Sequence, residues 1–109
     1  QFGCSFGPVL ISNGEPNATD TLTSGVNPRT AIGQRADGAV LLLVVDGRQA
    51  YSLGATYNDL VDIMLEYGAV NACNLDGGSS SVMWFQDGYV NRCASVIGIR
   101  PLPTAFLVK

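Results

Sequence analysis

Residues 56–68 read TYNDLVDIMLEYG, and this stretch decides the fold class of the 109-residue chain. Its large apolar side chains recur at the spacing of one helical face, with Leu60, Met64 and Tyr67 in a single stripe. The pattern predicts one main α-helix over about 57–67, with an apolar face that covers a sheet.

Both ends of this helix carry signals that fix its boundaries. Thr56 and Asp59 stand three residues apart, which is the spacing of a capping box in which Asp replaces the usual Glu. Asp59 and Asp62 also suit the positive end of the helix dipole. Gly68 stands where a left-handed C-terminal cap belongs. The acidic side chains of the helix are therefore interpreted as solvated and are assigned no chemistry.

Short apolar segments on both sides of the helix predict strands. Glycine, proline and Asp-Gly turn signals bound these segments, which lie at 7–11, 29–34, 40–45, 70–75, 82–85 and 104–108. Residues 15–25 are polar, which is typical of a surface loop. The segment Val40–Val45 is apolar on consecutive residues, which predicts a strand covered on both faces, with the helix over one of them. The expected class is α+β, with a mixed, mostly antiparallel sheet and one covering helix.

The composition excludes several classes of function. The formal charge is −3 and no basic stripe with interleaved aromatic residues exists, so nucleic acid is not an expected partner. Histidine is absent, which removes every Ser-His-Asp or Cys-His arrangement within this chain. Three cysteines without a CxxC spacing do not support a zinc site. Acid–base chemistry would therefore use carboxylates, which favours glycosyl or phosphoryl transfer over peptide hydrolysis.

Three polar clusters border the predicted strands. They are the NPRT cluster (residues 27–30), the DGR cluster (46–48) and the DGG cluster (74–81, Asn-Leu-Asp-Gly-Gly-Ser-Ser-Ser). An arginine offers a planar donor fork for phosphate or carboxylate, and the DGG cluster combines a carboxylate, backbone N–H groups and hydroxyls. The alternative is structural, because Asp-Gly between apolar segments is also a strong hairpin signal.

Asp76 and Asp46 are the candidate carboxylates of these clusters. If both enter one cleft, the pair could supply an acid and a base or nucleophile for glycosidic cleavage. Carboxylates about 5 Å apart are typical of retention, and separations of about 6.5–9.5 Å are typical of inversion. A phosphate site held by one arginine, with structural aspartates, is the other interpretation that the residues leave open.

The three clusters, in this order and spacing, resemble the signature blocks of the phosphodiester glycosidases. The similarity extends to Gly7-Pro8-Val9-Leu10 and to residues 100–108, and so covers nearly the whole chain. The resemblance implies hydrolysis of a sugar-1-phosphodiester, such as an N-acetylglucosamine-1-phosphodiester of a glycan or cell-envelope polymer. It also implies a secreted or envelope-associated, extracytoplasmic location and a bacterial type of member.

Carried over residue by residue, the resemblance gives each cluster a role. Asp76, Asp46 and Arg29 are the expected catalytic residues, and Arg29 is expected to grip the phosphodiester. The expected substrate-binding residues, which support Arg29 or shape the pocket, are Thr30, Arg48, Asn74, Gly77, Gly78, Ser79 and Ser80. The resemblance implies no definite cofactor, and a divalent cation is compatible with the acidic and carbonyl groups, although no loop has a calcium-binding spacing.

The family's domain is usually close to twice as long as this chain. Residues 1–109 are therefore expected to be the C-terminal part of a phosphodiester glycosidase domain. The expected partners are a glycan or sugar-phosphate substrate and either the N-terminal half of the domain or another chain. Two alternatives accompany the enzyme: a non-catalytic module that binds glycan phosphate, and a structural half-domain that completes its fold with another chain.

Overall fold

A computed structural model of the chain describes residues 7–17, 25–94 and 105–108. Within these ranges one main sheet carries one α-helix, which confirms the α+β class. The elements are β1 (Val9–Ser12), β2 (Glu15–Pro16), β3 (Arg29–Arg35), β4 (Val40–Val45), α1 (Tyr57–Glu66), β5 (Ala69–Asn74), β6 (Trp84–Phe85) and β7 (Gly88–Tyr89).

The main sheet has the strand order β2-β1-β5-β3-β4, and each of its described pairs is antiparallel. In the register, Arg29 lies opposite Val45, and Ala31 lies opposite Asn74. The beginning of β3 therefore lies between the ends of β4 and β5. This arrangement brings the loops that follow β4 and β5 to the place where β3 begins.

The helix forms as its sequence predicts. Thr56 Oγ1 accepts a hydrogen bond from the Asp59 backbone N–H (3.1 Å), and Asp59 Oδ2 accepts one from the Thr56 N–H (2.9 Å), so the capping box is complete. Gly68 takes the positive φ of a left-handed cap, +86°. Leu60 and Met64 are buried, and they anchor α1 to the sheet.

The helix covers one face of the sheet that contains Val40–Val45, as predicted. Its main contacts are with β5 and β1 of that sheet. It approaches the sheet closely at Gly33, where an added Cβ would lie 2.9 Å from the sulfur of Met64. The periodicity of a helix identifies its apolar face but does not say which strand that face will contact.

The prediction that β4 is covered on both faces is wrong for the described residues. Strand β4 pairs there with β3 alone and forms an edge of the sheet. Val40 is 61% exposed and Leu42 is 42% exposed, both on the face away from the helix. A continuous apolar segment indicates that both faces need cover, but the described part of the chain supplies cover mainly for one of them.

Several local predictions also need correction. The DGG cluster forms no hairpin, because β5 leads into a short 3₁₀ turn at Gly78–Ser80. Residues 105–108 are not in a strand, and Thr104 lies outside the described residues. In the predicted surface loop, Glu15–Pro16 form β2 against β1, while 18–24 lie outside the description.

Candidate functional site

The three polar clusters meet at one end of the sheet, where β3 begins and where β4 and β5 end. The backbone N–H of Leu75 donates to the carbonyl of Thr30 (2.8 Å), and that of Gly78 donates to the carbonyl of Pro28 (2.9 Å). These bonds tie the DGG cluster to the NPRT cluster directly. The antiparallel register explains the meeting, because β3 begins where β4 and β5 end.

Two glycines permit this close approach. A Cβ added at Gly47 would lie 2.5 Å from the backbone nitrogen of Pro28, and a Cβ added at Gly77 would lie 2.9 Å from the Pro28 carbonyl oxygen. Both values are shorter than real Cβ contacts, so a larger residue would push the loops apart. The glycines of two different clusters therefore pack against the same proline.

A cavity of about 750 Å³ opens beside the DGG cluster. Thr30, Asp76 and Ser80 contribute polar groups to its wall, and most of the remaining wall is apolar or aromatic. The apolar part comes from β4, from the β6–β7 hairpin and from residues 105–108, and includes Leu42, Val44, Val82, Met83, Trp84, Phe85, Tyr89, Val90, Phe106 and Leu107. An apolar pocket with a few convergent polar groups is the usual form of a small-molecule site.

Buried polar atoms without partners lie in or beside the same clusters. Within the described part of the chain, Thr30 Oγ1, Asn74 Oδ1 and Ser81 Oγ are buried and have no hydrogen-bond partner. The amide nitrogen of Asn74 donates to the carbonyl of Gly7 (2.9 Å), so the Asn74 side chain is fixed in place. Unsatisfied buried groups are rare in folded proteins and require an explanation. Their concentration here distinguishes this end of the sheet from the rest of the described structure.

Arg29 is held beneath the clusters. Its side chain is buried, with Nε donating to the carbonyl of Ala55 (2.9 Å) and Nη2 donating to that of Gly25 (2.9 Å). The guanidinium carbon lies 4.2 Å from the centre of the Tyr57 ring, in a cation–π contact. Arg29 does not line the cavity that Asp76 lines. Its expected binding of a phosphodiester stays a prediction. Its observed hydrogen bonds go to the backbone of Gly25, which precedes the NPRT cluster, and of Ala55, which pairs with Asn27.

Arg48 is exposed and faces the DGG cluster. Its guanidinium nitrogens lie 3.6 and 3.9 Å from the position that a Cβ would take at Gly78, and Nη2 donates to Asn27 Oδ1 (3.2 Å). The backbone of Arg48 has φ +56°, in the left-handed region that disfavours non-glycine residues. A strained residue of this kind suggests a functional constraint.

Asp46 is engaged by a hydrogen-bond network of its own. Tyr51 Oη donates to Asp46 Oδ2 (2.5 Å), and the backbone N–H of Arg92 donates to Oδ1 (3.0 Å). Burial acts to raise the pKa of the Asp46 carboxyl, but the hydrogen bonds from Tyr51, Arg92 and Asn91 outweigh it, and the pKa lies below its ordinary value. Asp46 is therefore ionised at neutral pH. It does not line the cavity that Asp76 lines.

The structure therefore divides the predicted residues into two groups. Thr30, Asp76 and Ser80 share the cavity wall, with Gly77, Gly78 and Arg48 beside them, while Arg29 and Asp46 are held by contacts elsewhere. Ser79 belongs to the 3₁₀ turn, and its carbonyl accepts a hydrogen bond from the thiol of Cys93 (3.2 Å).

Sequence reasoning missed some residues that shape this region. Tyr57 was interpreted only as part of a helix, and Tyr51, Asn91 and Trp84 were assigned no role. The signal for Trp84 lay in its position, because it follows the DGG cluster by only a few residues in an aromatic segment. No sequence signal links Tyr57 to Arg29, since 28 positions separate them and only the fold brings them together.

Among the described residues, no three Asp, Glu, Cys or His side chains cluster in a way that could hold an ion. No mechanistic step is therefore assigned to the divalent cation considered above. Within the same ranges, no helix is long and apolar enough to cross a membrane.

The chain is similar to several known proteins. The family model described as phosphodiester glycosidase matches residues 1–109, the whole chain. The chain is 36% identical over 97 residues to the SPbeta prophage-derived uncharacterized protein YomE of Bacillus subtilis, covering 85% of this chain and 15% of that protein. It is 34% identical over 67 residues to the bovine N-acetylglucosamine-1-phosphodiester alpha-N-acetylglucosaminidase, covering 62% of this chain and 12% of the enzyme.

A solved structure gives the same relationship. The catalytic domain of the zebrafish N-acetylglucosamine-1-phosphodiester alpha-N-acetylglucosaminidase, auto-inhibited by its pro-peptide, superposes with a TM-score of 0.56 at 27% identity. The match covers 68% of this chain and 29% of the zebrafish chain. These findings confirm the resemblance seen in the motifs: the chain belongs to the phosphodiester glycosidase family. It spans only 15% and 12% of the length of the two relatives.

Proposed function

We propose that this chain takes part in hydrolysing a sugar-1-phosphodiester. The observation that carries the proposal is the meeting of the three clusters, which places Asp76, Thr30 and Ser80 on one cavity wall with Arg48 beside the same loop. Water would replace the phosphate at the anomeric carbon, giving a free sugar and a phosphomonoester. The family includes an enzyme whose name states this chemistry for N-acetylglucosamine.

In this proposal, Asp76 acts at the sugar as the acid, base or nucleophile. It follows β5, and the Leu75–Thr30 backbone bond next to it fixes the position of the loop. Thr30 and Ser80 line the same wall, and Thr30 Oγ1 is buried without a partner within the described residues.

Arg48 is the arginine that the geometry favours for the phosphodiester. Its guanidinium is exposed beside Gly78, so an anion seated on this loop could receive two parallel hydrogen bonds. The sequence assigned this role first to Arg29, and that assignment remains a second candidate. In its observed contacts, Arg29 links the backbone carbonyls of Gly25 and Ala55, next to the NPRT cluster.

Asp46 remains the second candidate carboxylate. Its lowered pKa suits a group that must stay ionised, such as a base, a nucleophile or a stabiliser of positive charge at the sugar, and does not suit a proton donor. The acid role therefore falls to Asp76 if the pair acts together.

The substrate class and setting follow the family. We propose an N-acetylglucosamine-1-phosphodiester-like substrate in a glycan or cell-envelope polymer, met outside the cytoplasm, and a bacterial type of member. We also propose that residues 1–109 act as the C-terminal part of a longer catalytic domain. The zebrafish catalytic-domain chain supports this, because the matched region is 29% of its length. So do the exposed apolar side chains of β4, which need further polypeptide to cover them.

One observation favours a binding module as the alternative. Asp46 does not line the cavity that Asp76 lines, so a single carboxylate from the predicted pair faces it. A site with one carboxylate, hydroxyls and an arginine can hold a glycan phosphate without cleaving it. A hydrolase and a binding module would both bind the substrate, and only the hydrolase would release the free sugar.

The deciding experiment uses UDP-N-acetylglucosamine as the probe and measures release of free N-acetylglucosamine. The chain is compared with Asp76→Asn and with Asp37→Asn, a control whose carboxylate lies in the β3–β4 turn and accepts a hydrogen bond from Ala39 N–H. The enzyme proposal expects turnover in the wild type and in Asp37→Asn, and none in Asp76→Asn. Binding without sugar release in the wild type would contradict catalysis by residues 1–109 on their own, would favour the module for this chain, and would leave hydrolysis to the longer domain alone.

A further inference from the structure

The β6–β7 hairpin presents an aromatic pair to the cavity. Trp84 and Tyr89 lie opposite each other in the hairpin, with ring centroids 4.8 Å apart and planes at 86°. Both rings line the cavity that Asp76 lines. They remain 59% and 54% exposed, although each already contacts the other ring. An edge-to-face pair of this kind leaves ring faces open to a ligand.

The hairpin is anchored to the DGG cluster. Asn91 Oδ1 accepts a hydrogen bond from the backbone N–H of Met83 (2.7 Å), and Asn91 Nδ2 donates to the carbonyl of Ser81 (2.6 Å). The backbone N–H of Val90 donates to the carbonyl of Met83 (2.8 Å). One asparagine thus bridges the base of the hairpin to the last residue of the cluster. The aromatic pair is held in a fixed position relative to Asp76.

A sugar ring is a ligand that such a pair suits. One face of a pyranose consists of C–H groups, which pack against the face of an aromatic ring, while its hydroxyls need hydrogen-bond partners at the ring edge. Trp84 and Tyr89 supply the aromatic surface, and Asp76, Ser80 and Thr30 supply the polar groups of the same cavity. Inorganic phosphate would bind to Arg48 without contacting the aromatic pair.

We propose that Trp84, supported by Tyr89, is the platform on which the sugar ring of the substrate stacks, and that it determines specificity for the glycosyl part. The proposal rests on the function proposed above and extends it to residues that the family motifs do not include. Trp84 binds and orients the sugar in this proposal and takes no part in proton transfer.

The test uses a property of this sequence: Trp84 is its one tryptophan. Titration with N-acetylglucosamine 1-phosphate should change the fluorescence of the wild-type chain, and titration with inorganic phosphate should leave it unchanged. Calorimetry should give a Kd for the sugar phosphate about five- to tenfold higher in Trp84→Ala. Trp84→Phe keeps an aromatic face and should recover most of the affinity. The affinity for inorganic phosphate should be the same in all of them.

Tyr67→Ala is the matched control for loss of an exposed aromatic ring. Tyr67 lies at the end of α1, outside the cavity wall, and its replacement should not change either affinity. Equal Kd values for the sugar phosphate in the wild type and Trp84→Ala would overturn the proposal, as would a parallel loss of sugar-phosphate and inorganic-phosphate affinity. If Trp84→Ala does not fold, the wild-type fluorescence still decides the matter, because a sugar phosphate that binds without changing it would overturn the proposal.

The outcome is separable from that of the hydrolysis assay. A wild-type chain that binds the sugar phosphate through Trp84 but does not cleave UDP-N-acetylglucosamine would contradict hydrolysis by residues 1–109 on their own and support the platform. If the chain cleaves the substrate and Trp84→Ala leaves kcat and KM unchanged, the hydrolase proposal is supported and the platform proposal is contradicted. A specificity role predicts a raised KM with kcat little changed.

Discussion

Replacing Arg48 separates its proposed role in binding from its effect on stability. The residue has φ +56°, and a left-handed conformation costs a non-glycine residue roughly 1–2 kcal/mol. Arg48→Gly removes this strain, loses an exposed hydrogen bond to Asn27 worth about 0.5–1 kcal/mol, and adds about 0.5–1 kcal/mol of chain entropy to the unfolded state. The three terms nearly cancel, so Arg48→Gly should be about as stable as the wild type.

Arg48→Ala keeps the strain and loses the same hydrogen bond. It should therefore be less stable than Arg48→Gly by about 1 kcal/mol, which reverses the usual order of alanine and glycine. Both variants lack the guanidinium, so both should bind N-acetylglucosamine 1-phosphate at least about tenfold more weakly. Stability and binding thus change independently across the two variants.

Urea unfolding gives the two stabilities, and calorimetry gives the two affinities. Arg35→Ala is the control for loss of an arginine, because Arg35 pairs with Asp37 at the opposite end of β3 (3.1 Å). It should bind the sugar phosphate as the wild type does. Wild-type affinity in both Arg48 variants would refute the anion contact. An alanine variant more stable than the glycine variant would refute the argument from backbone strain.

Further substitutions probe the packing and electrostatics beneath the site. Gly47→Ala should lower the free energy of unfolding by about 1–3 kcal/mol, because its Cβ would lie 2.5 Å from the backbone nitrogen of Pro28 in the NPRT cluster. Urea unfolding measures the loss, and Gly88→Ala is the control because a Cβ there has open space around it. Arg29→Lys should lower the free energy of unfolding by about 2–3 kcal/mol in the same assay, since a lysine cannot replace the hydrogen bond from Nε to Ala55 or the planar contact with the Tyr57 ring. A loss of stability below about 0.5 kcal/mol would contradict the structural role. Tyr51→Phe should raise the pKa of Asp46, measured by NMR titration of the carboxyl carbon, because it removes a hydrogen bond that lowers it. Because the pKa of Asp46 is lowered in the folded state, its ionised carboxylate stabilises the protein above pH 3.8, and this stability is lost as the pH falls through the folded-state pKa. The wild type should therefore lose more stability than Tyr51→Phe on acidification. Parallel profiles of stability against pH for the two proteins would contradict this.

The helix and the hairpin of β3 and β4 could be predicted from sequence because their signals are local. The capping box of Thr56 and Asp59 and the glycine at 68 lie within one helix, and residues 36–38 form one turn. The packing of the helix on β5 and β1 was not predictable in this way. It depends on the strand order, which is set by contacts between residues far apart in the chain.

The sequence identified the three clusters, which remain a candidate site, but it did not give the arrangement of their side chains. The residue types of the clusters indicate phosphate and carboxylate chemistry, and the family match confirms the resemblance that their order suggested. Sequence could not place Arg29 against Tyr57 or Asp46 against Tyr51, because a turn and a strand end look alike whichever way their side chains face. These arrangements follow from the register, which places the start of β3 between the ends of β4 and β5.

The strand order also distinguishes the two aspartates. Asp76 follows β5, which lies inside the sheet and is paired on one side with β1 and on the other with β3, so backbone hydrogen bonds fix the position of its loop. Asp46 follows β4, the edge strand of the described sheet, and its carboxylate is held by Tyr51 and by a backbone N–H donor. A substrate that approached Asp46 would have to compete with those hydrogen bonds. Because Asp76 lines the cavity and Asp46 does not, we place the chemistry first at Asp76 and expect Asp46 to act through its fixed charge.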